Sequence, residues 1–445
     1  MLNKFINKKL FSYSYTSNKI FVKTFLPYKN KKNIKIGIII DTVISIPPTT
    51  GVTYRLYYLS KKLSKLGYKI VWFLGNRNFS DEKSLEQLKI KGVKIYLLPP
   101  KLFYNIQFLN SLILKEDIDI LQYEITQTFL SLGIPLQRLN NLPTLLEIHD
   151  VEASLRKTLG RKKEVDFMNF LQFVAGNLSD AVIAMTIMDR RILIDEIKIP
   201  KEKIFLAPNG IEASLPYNGI NKKESVLLCL GNMFYPPNKN GLLFLIKKVI
   251  PLVKKSVVDI KLKVIGMVPI ELKNKYKKRK EIIFTGEIRN DNLFNKELSS
   301  STIGLCTVFA GSGMKVKILN YCASGLPVIV TPLGLSGYEK IKSLIKVEPK
   351  ANSIAGAIIK LIEDKKKLVM IGKENRRKII KLFNWGKITK EIIKAYNFAY
   401  NIRNAITHKL KIPTPLWLEE GRHSERILEK YYIINAKEIS KKFKT

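Results

Sequence analysis

The sequence predicts an α/β protein with two doubly wound domains that face a cleft. Short β-branched runs alternate with longer segments of helical periodicity, which is typical of parallel sheets covered by helices. The alternation occurs twice, over 33–213 and 225–400, and a polar, turn-rich linker at 214–224 separates the two halves. Ligands of such sheets bind beyond the carboxyl ends of the strands, so facing sheets predict an interdomain site.

The predicted elements follow each other in a regular order. In the first half, strands are expected at 34–40, 69–75, 93–99, 118–124, 143–149, 181–186 and 203–209, with a helix from Gly51 that closes at 67–68. In the second half, strands are expected at 225–231, 259–266, 282–286, 302–309 and 327–331, with helices near 239–250, 315–324, 351–363 and 366–382.

Both termini lie outside this pattern. Residues 1–32 form a basic leader with eight lysines and no acid, expected to be a flexible arm or a surface anchor. Residues 401–445 form a tail that is extended at its prolines and then charged and helical. No apolar run reaches the roughly 20 residues that a membrane span needs.

Composition limits the classes of function. Of 445 residues, 46% are hydrophobic, which favours a large core. The three cysteines, Cys229, Cys306 and Cys322, lie in apolar stretches without paired or metal-ligand spacing and are predicted to be reduced core residues. The formal charge of +40 attracts polyanions, although a proteome rich in lysine is an equally good explanation. No nucleic-acid-binding module is recognisable, so nucleic acid is the least favoured partner.

The segment "GSGMKVKILNYCASGLPVIVT" (311–331) carries an unusual charge pattern. Lys315 and Lys317 are the only charged residues between Leu298 and Tyr338, and both fall at the predicted start of a helix. That end of a helix already carries a partial positive charge, so two cations there are locally unfavourable. Either a bound anion such as a phosphate resolves the conflict, or both lysines point into solvent.

Several motifs in a fixed order carry a family resemblance. These are "PPTTGVTYRLYYLSKKLSKLGYKI", "EIHDVEASLRK", "KIFLAPNGIE", "AGSGMKVKILNYCASGLPVIVT" and "LGLSGY". Over about 34–400 the sequence resembles retaining glycosyltransferases of family 4, which have the GT-B fold of two Rossmann-like domains. The resemblance implies a nucleotide-sugar donor held mainly by the second domain, and a glycan or lipid-linked acceptor held by the first.

The resemblance also implies roles for individual residues. Lys315 and Lys317 match the basic positions beside the donor diphosphate, and Gly51 matches a glycine-rich turn that faces the phosphates. His149 matches a histidine beside the transferred sugar, so the expected catalytic residues are Lys315 and His149.

Three further positions complete the expected donor site: Gly313, Gly337 and Asn320. Asn320 stands where the family usually has a glutamate that binds the ribose, and Ser312 replaces a second glutamate. An amide still hydrogen-bonds, but without the strength of a charged group. A non-catalytic scaffold that binds nucleotides or glycans is therefore the alternative.

No cofactor and no metal is expected, and the nucleotide sugar is a substrate. "DID" at 117–119 resembles a metal-binding motif but opens a predicted strand, which favours a structural role. The reduced cysteines predict a cytoplasmic protein. A basic helix at 51–66, with Arg55, Lys61, Lys62 and Lys65, could lie on an anionic membrane face. An ordinary sheet-packing helix is the alternative for that segment.

Overall fold

The computed structural model describes most of both predicted domains. The described residues are 21–24, 34–42, 50–75, 90–212 and 225–407, with side chains described from 34 to 403 within those ranges. The predicted linker at 214–224 lies outside them, as do the tail beyond 407 and the leader apart from 21–24.

The first domain is built on an eight-stranded sheet. Its strands are β1 (Phe21–Thr24), β2 (Lys35–Ile40), β3 (Lys69–Gly75), β4 (Val93–Leu98), β5 (Ile120–Tyr123), β6 (Thr144–Ile148), β7 (Ala181–Ala184) and β8 (Ile204–Leu206). The order is β1-β4-β3-β2-β5-β6-β7-β8, and all neighbours are parallel except β1 and β4. The chain reverses direction across the sheet between β2 and β5, where such folds bind ligands.

Helices cover both faces of this sheet. They are α1 (Gly51–Lys65), α2 (Pro100–Phe103), α3 (Ile106–Glu116), α4 (126–140), α5 (Glu152–Thr158), α6 (Val165–Leu178) and α7 (Ile187–Asp195), with short 3₁₀ turns at Lys162–Glu164 and Lys201–Lys203. Strand residues alternate between the two faces. Ile36, Ile38 and Ile40 pack in the cluster on the α1 side, and Ile39 packs in the cluster on the other face.

The second domain has a six-stranded parallel sheet. Its strands are β9 (Val226–Leu230), β10 (Lys261–Ile265), β11 (Ile282–Gly286), β12 (Ile303–Cys306), β13 (Val328–Val330) and β14 (Ile345–Lys346), in the order β11-β10-β9-β12-β13-β14. Its helices are α8 (236–254), α9 (Ile270–Tyr276), α10 (Asp291–Ser299), α11 (Val316–Ala323), α12 (Ala351–Glu363) and α13 (Lys365–Leu382). Here the switch point lies between β9 and β12.

Two helices contain a wide π-type turn directly before a proline. In α4 the turn is Phe129–Gly133 and Pro135 follows; in α8 it is Leu245–Val249 and Pro251 follows. Proline lacks an amide proton and crowds the carbonyl four residues earlier, and the wider turn accommodates both effects. The two helices therefore continue through their prolines instead of ending there.

The last helix returns from the second domain to the first. Helix α14 (Trp385–Thr407) buries Trp385, Ile388 and Ile392 in the core cluster of the first sheet. The Trp385 ring stacks on Tyr58 of α1 with ring centroids 6.1 Å apart. The amide of Ile211 donates to the carbonyl of Phe383 at 2.7 Å, beside this crossing. Helix α14 therefore packs on the first domain, and it extends past residue 401.

Two other features differ from expectation. Within the leader, Phe21–Thr24 pairs antiparallel with β4 and covers an edge that would otherwise offer free backbone groups. Arg55, expected on a basic helix face, is fully buried inside the first domain. No helix in the described part of the chain is both long enough and apolar enough to cross a bilayer.

The packing of α14 predicts that truncating one of its buried side chains lowers stability. Ile392→Ala removes a fully buried side chain from the interface between α14 and the first domain. We expect the free energy of unfolding to fall by about 2–5 kcal/mol, from lost burial and the cavity left behind. Urea denaturation measures this, with Lys390→Ala, exposed on the same helix, as the matched control. Equal losses in the two variants would contradict the packing described here.

Candidate active site

Two helix N-termini face each other across the seam between the domains. A Cβ atom on Gly51, the first residue of α1, would lie 3.5 Å from Cγ2 of Val316, the first residue of α11. Neither helix has an acidic residue in its first turn, and no side chain caps α11. Two positive helix ends therefore lie close together without an acidic residue in the first turn of either helix, which favours a bound anion.

Lys315 and Lys317 add two ammonium groups beside this point. Lys315 directly precedes α11, and its Nζ donates to the carbonyl oxygens of Ser312 at 2.5 Å and Gly313 at 2.9 Å. Lys317 Nζ donates to Oδ1 of Asn238 at 2.8 Å and lies next to Gly231, just beyond the carboxyl end of β9. Within the described ranges, no carboxylate oxygen lies within 4 Å of either ammonium group.

The loop before α11 touches the first domain directly. Its glycines, Gly311 and Gly313, have φ values of +127° and +65°, which other residues rarely adopt. The Gly311 amide donates to Oγ1 of Thr158 at 2.9 Å, and Ser312 Oγ donates to Oδ1 of Asp150 at 3.1 Å. The glycine loop therefore closes the seam through contacts with the first domain.

Asp150 is a carboxyl group in direct contact with this loop. Its pKa is raised to about 7, chiefly by burial; the nearby charge of Lys315 and the Ser312 hydrogen bond lower the pKa, and the charges of Asp189 and Glu152 raise it. Burial also lowers the pKa of Lys315, against the attraction of Asp150 and Asp189. Groups with pKa values shifted towards neutrality by burial and specific partners are typical of functional sites.

His149 lies at the carboxyl end of β6 and is largely buried, with 14% of its side chain exposed. Its Nε2 lies 3.0 Å from Oε2 of Glu124, which follows β5, and 3.9 Å from Oε2 of Glu147. Burial lowers its pKa to about 4; the charge of Glu147 opposes this and that of Arg55 adds to it. The imidazole is therefore neutral at physiological pH.

Arg55 neutralises the buried carboxylate of Glu147. Its Nε and Nη2 both donate to Glu147, the latter at 3.1 Å, and Nη1 donates to the carbonyl oxygen of Pro208 at 2.8 Å. Both side chains have no exposed surface. Breaking such a pair would leave an uncompensated buried charge, so α1 and β6 are held in fixed positions around His149.

Glu124, Glu147 and His149 also form a group that could hold a metal ion. Their ligand atoms lie within 4.8 Å of one another, the spacing that a bound cation requires. However, Arg55 already donates to both oxygens of Glu147, and a cation there would sit beside a guanidinium group. The donor set therefore fits an arginine–carboxylate pair better than a resident metal.

The remaining predicted donor residues lie on the same side of the seam. Gly337 has φ +86°, and a Cβ atom there would lie 3.0 Å from Cγ2 of Thr186 in the first domain. Asn320 is half-buried on α11, and its side chain makes no hydrogen bond within the described residues.

Asp119 of the "DID" segment accepts from the backbone amide of Lys35 at 2.7 Å, which supports its structural role.

The partners of His149 were not among the residues predicted from the sequence. Glu147 lies inside the apolar run "TLLEI", and Glu124 directly follows "ILQY". A charged residue among buried strand positions is a signal that a partner must exist. The partner of Glu147, Arg55, is 92 residues away in sequence, so the pattern along the chain could not identify it.

Comparisons with known proteins identify the family of this chain. A family model described as Glycosyltransferase Family 4 matches residues 49–215, and one described as Glycosyl transferases group 1 matches residues 224–364. The chain belongs to the family 4 glycosyltransferases. One model matches in each domain, and together they contain the residues of both helix N-termini at the seam. The family predicted from the sequence is thereby confirmed.

Two curated proteins are similar to this chain over part of its length. The GPI3 subunit of phosphatidylinositol N-acetylglucosaminyltransferase from Saccharomyces cerevisiae is 25% identical over 240 residues, which is 49% of this chain and 50% of that protein. The chain thus matches about half the length of this curated relative. An Escherichia coli UDP-Gal:alpha-D-GlcNAc-diphosphoundecaprenol alpha-1,3-galactosyltransferase is 26% identical, over 65% of this chain and 77% of the relative.

A solved structure supports the fold. HepE from Anabaena in complex with UDP-glucose superposes with a TM-score of 0.62 and 15% identity, covering 82% of this chain and all of the other. At this identity the likeness concerns the fold alone, and it confirms the predicted GT-B architecture. The roles of Gly51, His149 and the two lysines in donor binding remain predictions.

Gly313 provides a steric test of the closed seam. A Cβ atom there would lie 2.2 Å from Oδ1 of Asp150 and 2.5 Å from the backbone oxygen of His149, and φ is +65°. We expect Gly313→Ala to lower the free energy of unfolding by about 1–3 kcal/mol. The matched control is Gly356→Ala in α12, where nothing lies within 4 Å; there stability should rise by up to about 1 kcal/mol. Denaturant titration separates these cases, and a neutral Gly313→Ala would argue against the contact.

The raised pKa of Asp150 predicts how the stability of the protein changes with pH. Its pKa rises from 3.8 to about 7 on folding, so the folded state keeps a proton that the unfolded chain has lost between these values. Its contribution to stability therefore falls as pH rises through this window. Relative to the wild type, Asp150→Asn should become progressively more stable from pH 4 to 7 and then level off. Urea denaturation at several pH values measures this, and a constant difference would show that Asp150 is ionised in the fold.

Proposed function

We propose that the protein is a retaining glycosyltransferase that moves a sugar from a nucleoside-diphosphate donor to a lipid-linked acceptor. The observation that carries the proposal is the proximity of two helix N-termini, neither with an acidic residue in its first turn, to Lys315 and Lys317 at the interdomain seam. A diphosphate matches this site in charge, because it brings negative charge to a place that otherwise concentrates positive charge.

Charge stabilisation would be the main catalytic device. As the bond between the sugar C1 and the phosphate oxygen breaks, negative charge grows on the leaving diphosphate. The amides at the start of α11 and the ammonium groups of Lys315 and Lys317 would stabilise that charge in a site shielded from water. The two cations are held in place beforehand by Ser312, Gly313 and Asn238, so little reorganisation is needed.

The proposed transfer needs no nucleophile from the protein. The acceptor hydroxyl forms the new bond to C1 on the face that the diphosphate leaves, and its proton passes to the leaving phosphate. This route retains the configuration at C1. His149 would lie beside the sugar as a neutral group, able to hydrogen-bond a sugar hydroxyl without competing with the phosphates for charge.

The choice of substrates is supported by the names of similar proteins. The Escherichia coli relative is named for UDP-Gal as donor and a diphosphoundecaprenol-linked sugar as acceptor, and the yeast relative for phosphatidylinositol. Both acceptors are carried by lipids. We therefore propose a UDP-sugar as donor and action at the cytoplasmic face of a membrane, where the charge of +40 would favour anionic lipid.

A donor panel tests the proposal. The full chain is incubated with UDP-, GDP- and ADP-sugars and a lipid-diphosphate acceptor, and free nucleotide and the anomeric configuration of the product are measured. Lys315→Gln should lower kcat/KM by about 100-fold or more, because one charge-stabilising group is removed. Lys342→Gln, an exposed lysine of the same domain, is the matched control and should stay near the wild type.

Other outcomes would separate the proposal from its alternatives. Donor binding without turnover would favour the scaffold that Asn320 suggests, and an inverted product would refute retention. Activity that disappears with a chelator and returns with a divalent ion would refute metal-independent transfer. Equal effects of Lys315→Gln and Lys342→Gln would place the diphosphate elsewhere.

A further inference from the structure

A buried chain of hydrogen bonds links the last helix of the protein to His149. The hydroxyl of Tyr396 in α14 donates to Oε1 of Gln122 in β5. The amide nitrogen of Gln122 donates to Oε1 of Glu124, and Oε2 of Glu124 lies 3.0 Å from Nε2 of His149. Four side chains thus connect α14 to the cleft, and Tyr396 is 274 residues from its partner in sequence.

This series of hydrogen bonds lies in the interior of the first domain. Gln122, Glu124 and Tyr396 have 0%, 1% and 5% of their surface exposed. Burying these polar groups without hydrogen-bond partners would cost several kcal/mol, so each side chain must keep its partner. The orientation of one group therefore determines the orientation of the next. Because the Gln122 carbonyl accepts from Tyr396, its amide group must face Glu124. One carboxylate oxygen of Glu124 is then occupied, and the other is directed at His149.

Glu124 is the nearer of the two carboxylates beside His149, since Oε2 of Glu147 lies 3.9 Å from Nε2. Arg55 and Glu147 face Glu124 and His149, but Arg55 is committed to Glu147 and to the carbonyl oxygen of Pro208. Tyr68 lies near Tyr396 on the far side of the network. Among the groups described around the ring, Glu124 is therefore the closest hydrogen-bond partner of Nε2.

We propose that Tyr396, Gln122 and Glu124 are positioning residues that fix the ring orientation and tautomer of His149. Through them α14 sets the geometry of the sugar side of the active site. This inference rests on the proposed function for its effect on catalysis, but not for its effect on the ring. With Nε2 bonded to Glu124, Nδ1 is the ring nitrogen left to hydrogen-bond a sugar hydroxyl.

Loss of one hydroxyl tests the inference. Tyr396→Phe keeps the ring and its packing but removes the donor to Gln122. We expect kcat to fall by about three- to tenfold with donor KM within twofold, because binding is retained while alignment is lost. Tyr400→Phe, an exposed tyrosine one turn further along α14, should leave kcat unchanged.

A second pair of variants separates positioning from folding. Glu124→Gln is isosteric and keeps a group that hydrogen-bonds Nε2, whereas Glu124→Ala removes it. We expect Gln to keep at least tenfold more activity than Ala, with folding of every variant checked by thermal denaturation.

Nitrogen-15 NMR of the histidine rings gives a readout that needs no substrate. The chain has three histidines, so the His149 signals are identified by their loss in His149→Asn. In Tyr396→Phe and Glu124→Ala these ring signals should shift, and in Tyr400→Phe they should not. If the wild type transfers no sugar, the proposed function fails and the ring signals still decide the positioning. Unshifted ring signals, or an unchanged kcat for Tyr396→Phe in an active enzyme, would overturn the inference.

Discussion

The concentration of positive charge at the domain seam is the constraint on which the candidate site depends. The N-termini of α1 and α11 meet there, and the first turns of both lack acidic residues. The same seam is closed by a glycine loop whose backbone fits against His149 and Asp150. An arrangement that brings like partial charges together is stable only if something else compensates, and a diphosphate between the domains would do so.

Burial of charge controls the surroundings of that seam. Arg55 and Glu147 have no exposed surface and form an ion pair with each other. Their opposite charges therefore offset each other beside His149. Asp150 stands at the opposite extreme, since its carboxyl has a serine hydroxyl as partner and a lysine only nearby. Desolvation therefore keeps the histidine neutral and the aspartate close to its titration point. The protein controls protonation at the cleft chiefly through packing.

The path of the chain ties these parts together. After the second domain, α14 crosses back and completes the hydrophobic core beneath α1. It therefore stabilises the helix that carries Gly51 and, through Tyr396, contacts the polar network behind His149. The two domains are thus joined by packing as well as by the chain between them. A change in α14 would reach both the stability of the first domain and the geometry of the cleft.

The sequence by itself determined the local features. Periodicity located most strands to within one or two residues, because alternation and helical spacing are properties of neighbouring residues. The absence of acids around Lys315 and Lys317 predicts an anion site in the same way. The tertiary structure alone decided the partners. The pairing of Arg55 with Glu147, the return of α14 and the edge strand Phe21–Thr24 join residues far apart in sequence, and no local pattern encodes which distant groups meet on folding.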